Sequence, residues 1–497
     1  MEPRKKASQI APDLKNQQRT KQTSARRTNF RQRFSRHYLL VVLILSLIIV
    51  ACTQTSNLEQ SSVTESPSDN KVLKIWWDKG SNLEEDEALQ SLVSNWEKQS
   101  GNKAKLSFYT NDELPQKTQR AIQAGKTPDI VMSSSAEREQ IPRFAWQGLL
   151  ADVSDVIEPI KNLYSETALE DVYFYNKVDK KRSYYAIPIN QLTIHIFYWR
   201  DLLKKVGKSE RDIPKDWYAF WDFWKQTQND LKAQQKQDKK QVIYGLGFPF
   251  SVGAADTYYL FEQILEAYDV QIINSKGQLL IDEPKVRQGI INSLEWYAKF
   301  YQQGYVPPDA VNWLNPDNNR SLLNRAVVMT PNSTLSIPAA MRSDPDTYLN
   351  KLGILEFPKK PNGTAMRHLV VVNAAVLFAK SKNQKLAKNF LAYLIQPKII
   401  GNYIKAAGGR YLPVMKTLWK DAFWTNPADP HISTAAKTLI NGQTRPFYII
   451  QNPAYTLVLE ENVWGKALNN IVVNGISPEQ AVDESIKRIK QIFDQWQ

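Results

Sequence analysis

Polar and aromatic side chains gather where three apolar runs stop. Trp76, Trp77, Asp78 and Lys79 close "LKIWWDKG", Asn111 and Asp112 follow "LSFYT", and Ser133, Ser134, Ser135, Glu137 and Arg138 follow "DIVM". Carboxylates, amides, hydroxyls and indoles in such places suit hydrogen bonding and ring stacking against a small polar molecule. They offer little for breaking bonds. A glycosidase needs two positioned carboxylates, one of raised pKa; Asp78 and Glu137 could be paired, but nothing in their spacing supports it. The chain holds no Gly-x-Ser-x-Gly elbow and no phosphate-cradling glycine loop. Its only cysteine is Cys52 and its histidines are His37, His195, His368 and His431, which gives neither an internal disulfide nor a Cys/His zinc constellation. No enzymatic activity, metal or cofactor is expected.

Cys52 has a different use. It ends an apolar run over residues 38–50, "YLLVVLILSLIIV". That is short of the roughly 20 residues a spanning helix needs, and it fits the apolar region of a secretory signal. Residues 1–51 carry 11 Lys and Arg against Glu2 and Asp13, so most of the formal charge of +14 sits in front of the cysteine. The lysines after residue 70 are dispersed, and nucleic-acid binding is not expected. Ile49, Val50, Ala51 and Cys52 resemble the lipobox of bacterial lipoproteins. The resemblance implies a signal peptide over residues 1–52, a diacylglycerol on the Cys52 thiol, cleavage before it and acylation of the new amino terminus. Several acyl chains hold firmly where one gives only marginal binding. Residues 53–71 contain "TQTSNLEQSSVTESPSDN", too polar to bury a core, and read as a flexible tether.

From Val72 the patterning changes to that of a folded body. Strand, helix, strand, helix, strand follow in "VLKIWWD", "EEDEALQSLVSNWEKQSG", "AKLSFYT", "LPQKTQRAIQAG" and "TPDIVMSSS". Such a βαβαβ order predicts an α/β lobe with a parallel-rich sheet, whose ligands lie beyond the carboxyl ends of the strands. Later come the helix "DWYAFWDFWKQTQ", the strand "YGLGFPF", the strand "HLVVVNAAVLFAKSK" and a terminal helix with Ser477 as N-cap and Pro478 in its first turn. A length of 497 residues suggests more than one domain, and 14 Trp with 22 Tyr is a heavy aromatic load.

From residue 73 to the C-terminus the chain resembles the extracellular solute-binding proteins of bacterial ABC importers, in the group with the maltose- and multiple-sugar-binding proteins. The stretches that carry this are "LKIWWDKG", "AIQAGKTPDIVMSSS", "FAWQGLLADVSDVI", "YYAIPINQLTIHIFYWRDLLKKVG", "DIPKDWYAFWDFWKQ", "NRAVVMTPNST", "GILEFPKKPNG", "NQKLAKNFLAYLIQPK" and "GGRYLPV", in that order. The resemblance implies a two-lobed, type II periplasmic-binding-protein-like fold with three crossings, near residues 189–191, 327–330 and 376–380. Lobe one is then 72–190 plus 328–378, and lobe two 191–327 plus 379–497. It further implies a carbohydrate in the cleft, delivery to a membrane permease, and a monomer held to the membrane through Cys52. The implied hydrogen-bonding residues are Asp78, Lys79, Ser133, Ser134, Glu137, Arg138, Asn190, Gln191, Asn332 and Ser333. The Gly409-Arg410-Tyr411 loop matches a cleft loop of the family, with Arg410 as a clamp for hydroxyls or an anionic group. Trp77, Phe248, Pro249 and Trp464 are the expected stacking faces. Serines stand after the third strand where relatives often place an aromatic. A sensory receptor, or a binding protein for a glycerol-phosphate-like or compatible solute, is the alternative.

Overall fold

Leu73, Ile75 and Trp77 of β1 (Val72–Asp78) are buried and alternate with exposed or half-buried neighbours, the period of two that a strand imposes. The computed structural model describes residues 72–135, 140–234 and 242–496, all within one compact unit, Asn70–Gln497. The expected signal peptide with Cys52, the expected tether, and Glu137 and Arg138 lie outside the described residues. Helix α1 (Leu83–Ser100) starts at Asn82, whose side chain accepts the Glu85 N–H at 2.9 Å, and stops at Gly101, which has φ +70°. Strand β2 (Lys103–Tyr109), helix α2 (Glu113–Gln123) and strand β3 (Ile130–Met132) follow. β2 and β3 flank β1 and run parallel to it. The predicted βαβαβ lobe is thus present.

Strands β4 (Tyr173–Asn176) and β5 (Lys181–Tyr184) form a hairpin. The chain then runs through β6 (Ile187–Thr193) and β7 (His195–Trp199), separated only by Ile194. β8 (Tyr244–Leu246), β9 (Val327–Asn332), β10 (Leu352–Leu355), β11 (His368–Leu377) and β12 (Thr444–Arg445) complete the strands in two main sheets. One has the order β12-β11-β3-β1-β2, with β6 also on β11; the other has the order β10-β7-β9-β8. In the first sheet β1–β2, β1–β3 and β11–β12 are parallel, as the βαβαβ order predicts, while β11 is antiparallel to β3 and β6; in the second, β8 and β9 are parallel and β7 is antiparallel to β9 and β10.

The crossings differ from the expected ones. β6 stays bonded to β11 as far as Thr193, and β7 joins the second sheet from His195, so the first passage is at Ile194 rather than 189–191. Residues 327–330 are not a crossing: β9 pairs with β7 and β8, and β10 pairs with β7, which puts these strands in the second sheet rather than in lobe one. The chain returns to the first sheet between β10 and β11. Val376 and Leu377 still pair with β3, and the helices Gln384–Leu394 and Pro397–Ala406 pack with α1, so residues 376–380 do not lead away from the first sheet.

The aromatic load is mostly core. Eight of the 14 Trp are fully buried. The helix Trp217–Gln234 sets Trp217 and Trp221 against Trp296 of the helix Pro284–Gln302, with ring centroids 4.9 and 5.1 Å apart.

Candidate functional site

Three strand ends converge on one carboxylate. Asp78 Oδ2 accepts from the Ser134 N–H at 2.5 Å, from Ser134 Oγ at 2.6 Å and from Asn111 Nδ2 at 3.1 Å. Asn111 Nδ2 also donates to Ser134 Oγ, and Ser135 Oγ donates to Asn111 Oδ1 at 2.6 Å. The loops after β1, β2 and β3 are tied together by these bonds, which only parallel neighbours can make from the same edge. Burial raises the pKa of Asp78, against the hydrogen bonds from Ser134 and Asn111 and the charge of Arg410. Its Oδ1 is buried and has no hydrogen-bond partner.

Glu85, in the first turn of α1, accepts from the Ser81 N–H at 3.2 Å. Burial raises its pKa too, opposed chiefly by Arg410. Gly80 makes the approach possible, because a Cβ there would lie 2.7 Å from Glu85 Cβ. Arg410 stands over the Tyr411 ring at 4.6 Å, and its Nη1 is 3.7 Å from Glu85 Oε2. Gly409, with φ +78°, turns the chain so that Arg410 faces these acids. Two backbone bonds, Gln191 N–H to Leu412 O at 2.8 Å and Leu412 N–H to Gln191 O at 2.9 Å, pin the loop to β6. The Arg410 carbonyl accepts the Leu335 N–H at 3.1 Å, which joins the loop to the segment after β9.

The other wall is amide and hydroxyl. Asn332, the last residue of β9, donates from Nδ2 to Thr334 O at 2.9 Å and Ser336 Oγ at 3.0 Å. Asn319 Nδ2 donates to the same Ser336 Oγ at 2.9 Å. Asn315 Oδ1 accepts the Ala255 N–H at 2.7 Å, at the start of the helix Ala255–Ala267. Between the walls lies a cavity of about 280 Å³. Ser81, Asn111, Asp112 and Ser134 line one side; Asp256, Tyr259, Asn315, Asn319 and residues 332–334 line the other; Arg410 and Tyr411 complete it. A second cavity of about 410 Å³ shares Asn111, Asp112, Ala255 and Asn315 and extends to Tyr258, Glu460 and Asn462.

Of the residues singled out from the sequence, Ser134, Asn332, Ser333, Arg410 and Tyr411 line this cleft, with Asp78 directly behind Ser134. Gly409 shapes its loop. The others are elsewhere. Trp77 is buried beneath the strand, its indole donating to Tyr403 Oη of the helix Pro397–Ala406 at 2.9 Å, on the face that β1 turns to the core. Trp76, on the opposite face, packs edge-on against Tyr109. Lys79 is exposed and does not line the cleft, and Ser133 is fully buried. Asn190 is buried and accepts from Asn373 at 2.7 Å between β6 and β11, and Gln191 is buried and donates to Pro413 O at 2.6 Å. Phe248 and Pro249 belong to the aromatic core, where the Pro249 carbonyl accepts Tyr297 Oη at 2.7 Å. Trp464 is buried and donates to Tyr455 Oη at 2.9 Å. Not anticipated were Glu85, Asp256, Tyr259, Asn315 and Asn319. The amide-rich "NPDNN" around Asn315 was the available signal.

The profile of the bacterial extracellular solute-binding protein family matches residues 91–434. The galactooligosaccharide-binding protein of Bacillus subtilis is 22% identical over 452 residues, covering 90% of this chain and 94% of that one. The multiple sugar-binding protein of Streptococcus mutans is 19% identical over 381 residues, 74% of this chain and 80% of that one. Among solved structures, an ABC transporter solute-binding protein from Thermotoga lettingae bound with α-D-tagatose superposes with a TM-score of 0.69 at 19% identity, covering 85% of this chain and 99% of that one. The chain belongs to the bacterial extracellular solute-binding protein family.

Proposed function

We propose that this protein is the carbohydrate-binding component of a bacterial ABC importer, anchored to the membrane by lipid on Cys52. The observation that carries the reading is the two-walled cleft: hydroxyl and amide groups from both sheets face one cavity, beside Tyr259 and Tyr411. A sugar presents a rim of hydroxyls and apolar ring faces. A site with many fixed donors and acceptors rejects a mismatched epimer, because each buried polar group left unpaired costs about 1–3 kcal/mol. The names of the relatives, a galactooligosaccharide- and a multiple sugar-binding protein, support the same class.

A ligand touching both walls favours the closed arrangement by its differential affinity for it. The permease then reads the closed shape, and the ligand leaves unaltered. The protein works as a monomer, and no residue of the cleft is assigned a catalytic role. Asp78, Glu85, Asp112 and Asp256 stand in or behind the cleft with Arg410 as the cation among them. This balance disfavours a sugar phosphate and favours a neutral saccharide.

The test is a thermal-shift panel of neutral sugars, sugar phosphates, amines and peptides. A ligand at a hundred times its dissociation constant adds about 2.7 kcal/mol of stability. A shift with an amine or peptide and with no sugar overturns the carbohydrate reading.

A further inference from the structure

A further cavity, of about 730 Å³, shares no lining residue with the cleft. Two parts of its wall are passages of chain between the sheets. Residues 355–359 and 365–368 lead from β10 to β11, and residues 441–443 lead from the helix Pro430–Asn441 into β12. The remaining wall comes from the segment before the helix Trp217–Gln234.

The charge there is unbalanced. Lys215, Lys359 and Lys437 line the cavity, and none of the three ammonium groups has an ion pair or hydrogen bond among the described residues. The Lys359 N–H donates to the Lys215 carbonyl at 3.1 Å, so the backbone itself holds these two lysines side by side. The two acids of the cavity are engaged: Glu210 by Arg200 and Tyr198, and Glu356 by Thr438 Oγ1 at 2.6 Å. Phe220, Ile213, Ile354 and Met366 supply an apolar surface beneath the lysines. His368 also lines the cavity and is 5% exposed, with no hydrogen-bond partner for Nδ1. A volume of this size is ordinary for a small-molecule site.

We propose that this cavity is a second binding site, for an organic anion with a phosphate or carboxylate group for the lysines and an apolar body for the surface beneath. Because two parts of its wall are inter-sheet passages, its occupancy is linked to the relative position of the lobes, and the linkage is reciprocal. A soluble phosphate ester and an anionic lipid headgroup share this chemistry.

The experiment titrates protein beginning at residue 53, which keeps the whole compact unit and lacks both Cys52 and the basic, apolar N-terminal region, with AMP by calorimetry and, separately, measures its co-sedimentation with phosphatidylcholine vesicles with and without phosphatidylglycerol. The expected result is saturable AMP binding, or phosphatidylglycerol-dependent sedimentation, that weakens about tenfold or more in Lys359→Gln/Lys437→Gln protein and with added salt. Ala365→Trp, which fills the cavity mouth, weakens it likewise, whereas Lys79→Gln, an exposed lysine lining neither cavity, leaves it unchanged. Binding that survives both the lysine and the Ala365 changes, or that is lost with Lys79→Gln, overturns the proposal. So does the absence of both AMP binding and vesicle discrimination.

Discussion

His195 is the first residue of β7, just past the passage between sheets, and its charge state ought to set much of the acid sensitivity of the fold. The side chain is 1% exposed; Nδ1 donates to Thr193 O at 3.2 Å, and Nε2 lies 3.1 Å from Thr438 Oγ1. Burial, with the nearby His368 adding to it, pushes its pKa down to about 3 from the ordinary 6.5. The unfolded chain therefore takes up a proton near pH 6.5 while the folded protein does not until about pH 3. Stability falls as pH falls across that window. At 1.36 kcal/mol per unit, the step from pH 7 to pH 5 withdraws about 2 kcal/mol through this one imidazole. The acids of the cleft act in the opposite sense, since Asp78 and Glu85 have raised pKa values and take up protons more readily when folded. The wild-type slope is thus a mixture, and the informative quantity is the difference between wild type and His195→Gln. Urea unfolding at pH 7 and pH 5 measures it: the variant should lose about 2 kcal/mol less than wild type over that interval. Equal losses in the two proteins would refute the argument that His195 is held neutral by burial.

His431 behaves alike, with a pKa pushed down to about 4 chiefly by burial, so His431→Gln should also flatten the pH 7 to pH 5 unfolding series by about 2 kcal/mol. Arg410→Met removes the cation that opposes the raised pKa values of Glu85 and Asp78; it should destabilise the protein by about 2–3 kcal/mol at pH 7 and less at pH 5, as the acids accept protons, measured by the same unfolding series. Trp77→Phe deletes the bond to Tyr403 and should cost about 1 kcal/mol of stability while leaving sugar affinity by calorimetry unchanged; a large affinity loss would restore Trp77 to the cleft. Cys52→Ser should move the protein from the membrane fraction to the soluble one in a bacterial host, read by fractionation and by loss of the acyl mass.

The parts legible in the sequence were those whose signal is local. The βαβαβ opening could be read because Leu89, Leu92, Val93 and Trp96 fall at helical spacing before the stop at Gly101, between two strand-like runs. The same logic marked Ser134 at the end of β3, since strand ends are where side chains can face a cleft, whereas Arg410 was reached through the resemblance of its loop to a cleft loop of the family. The passage at Ile194 could not be found that way. Residues 185–199, "YAIPINQLTIHIFYW", are buried without a break, and what changes at Ile194 is the partner strand, from β11 to β9 and β10. Pairing partners are tertiary, and no composition step records them. The aromatics failed for a related reason. A period of two separates Trp76 from Trp77 but does not say which face the core claims. Phe248 and Trp464 went to the core because large apolar surfaces are most stabilising when buried. A cleft built this way depends on pairs of groups from distant segments: Asp78 with Ser134, Asn332 with Asn318, Arg410 with Glu85. Each partner is an ordinary polar residue in its own stretch, and only their meeting, with burial raising the pKa values of Asp78 and Glu85 against one arginine, assembles the cleft.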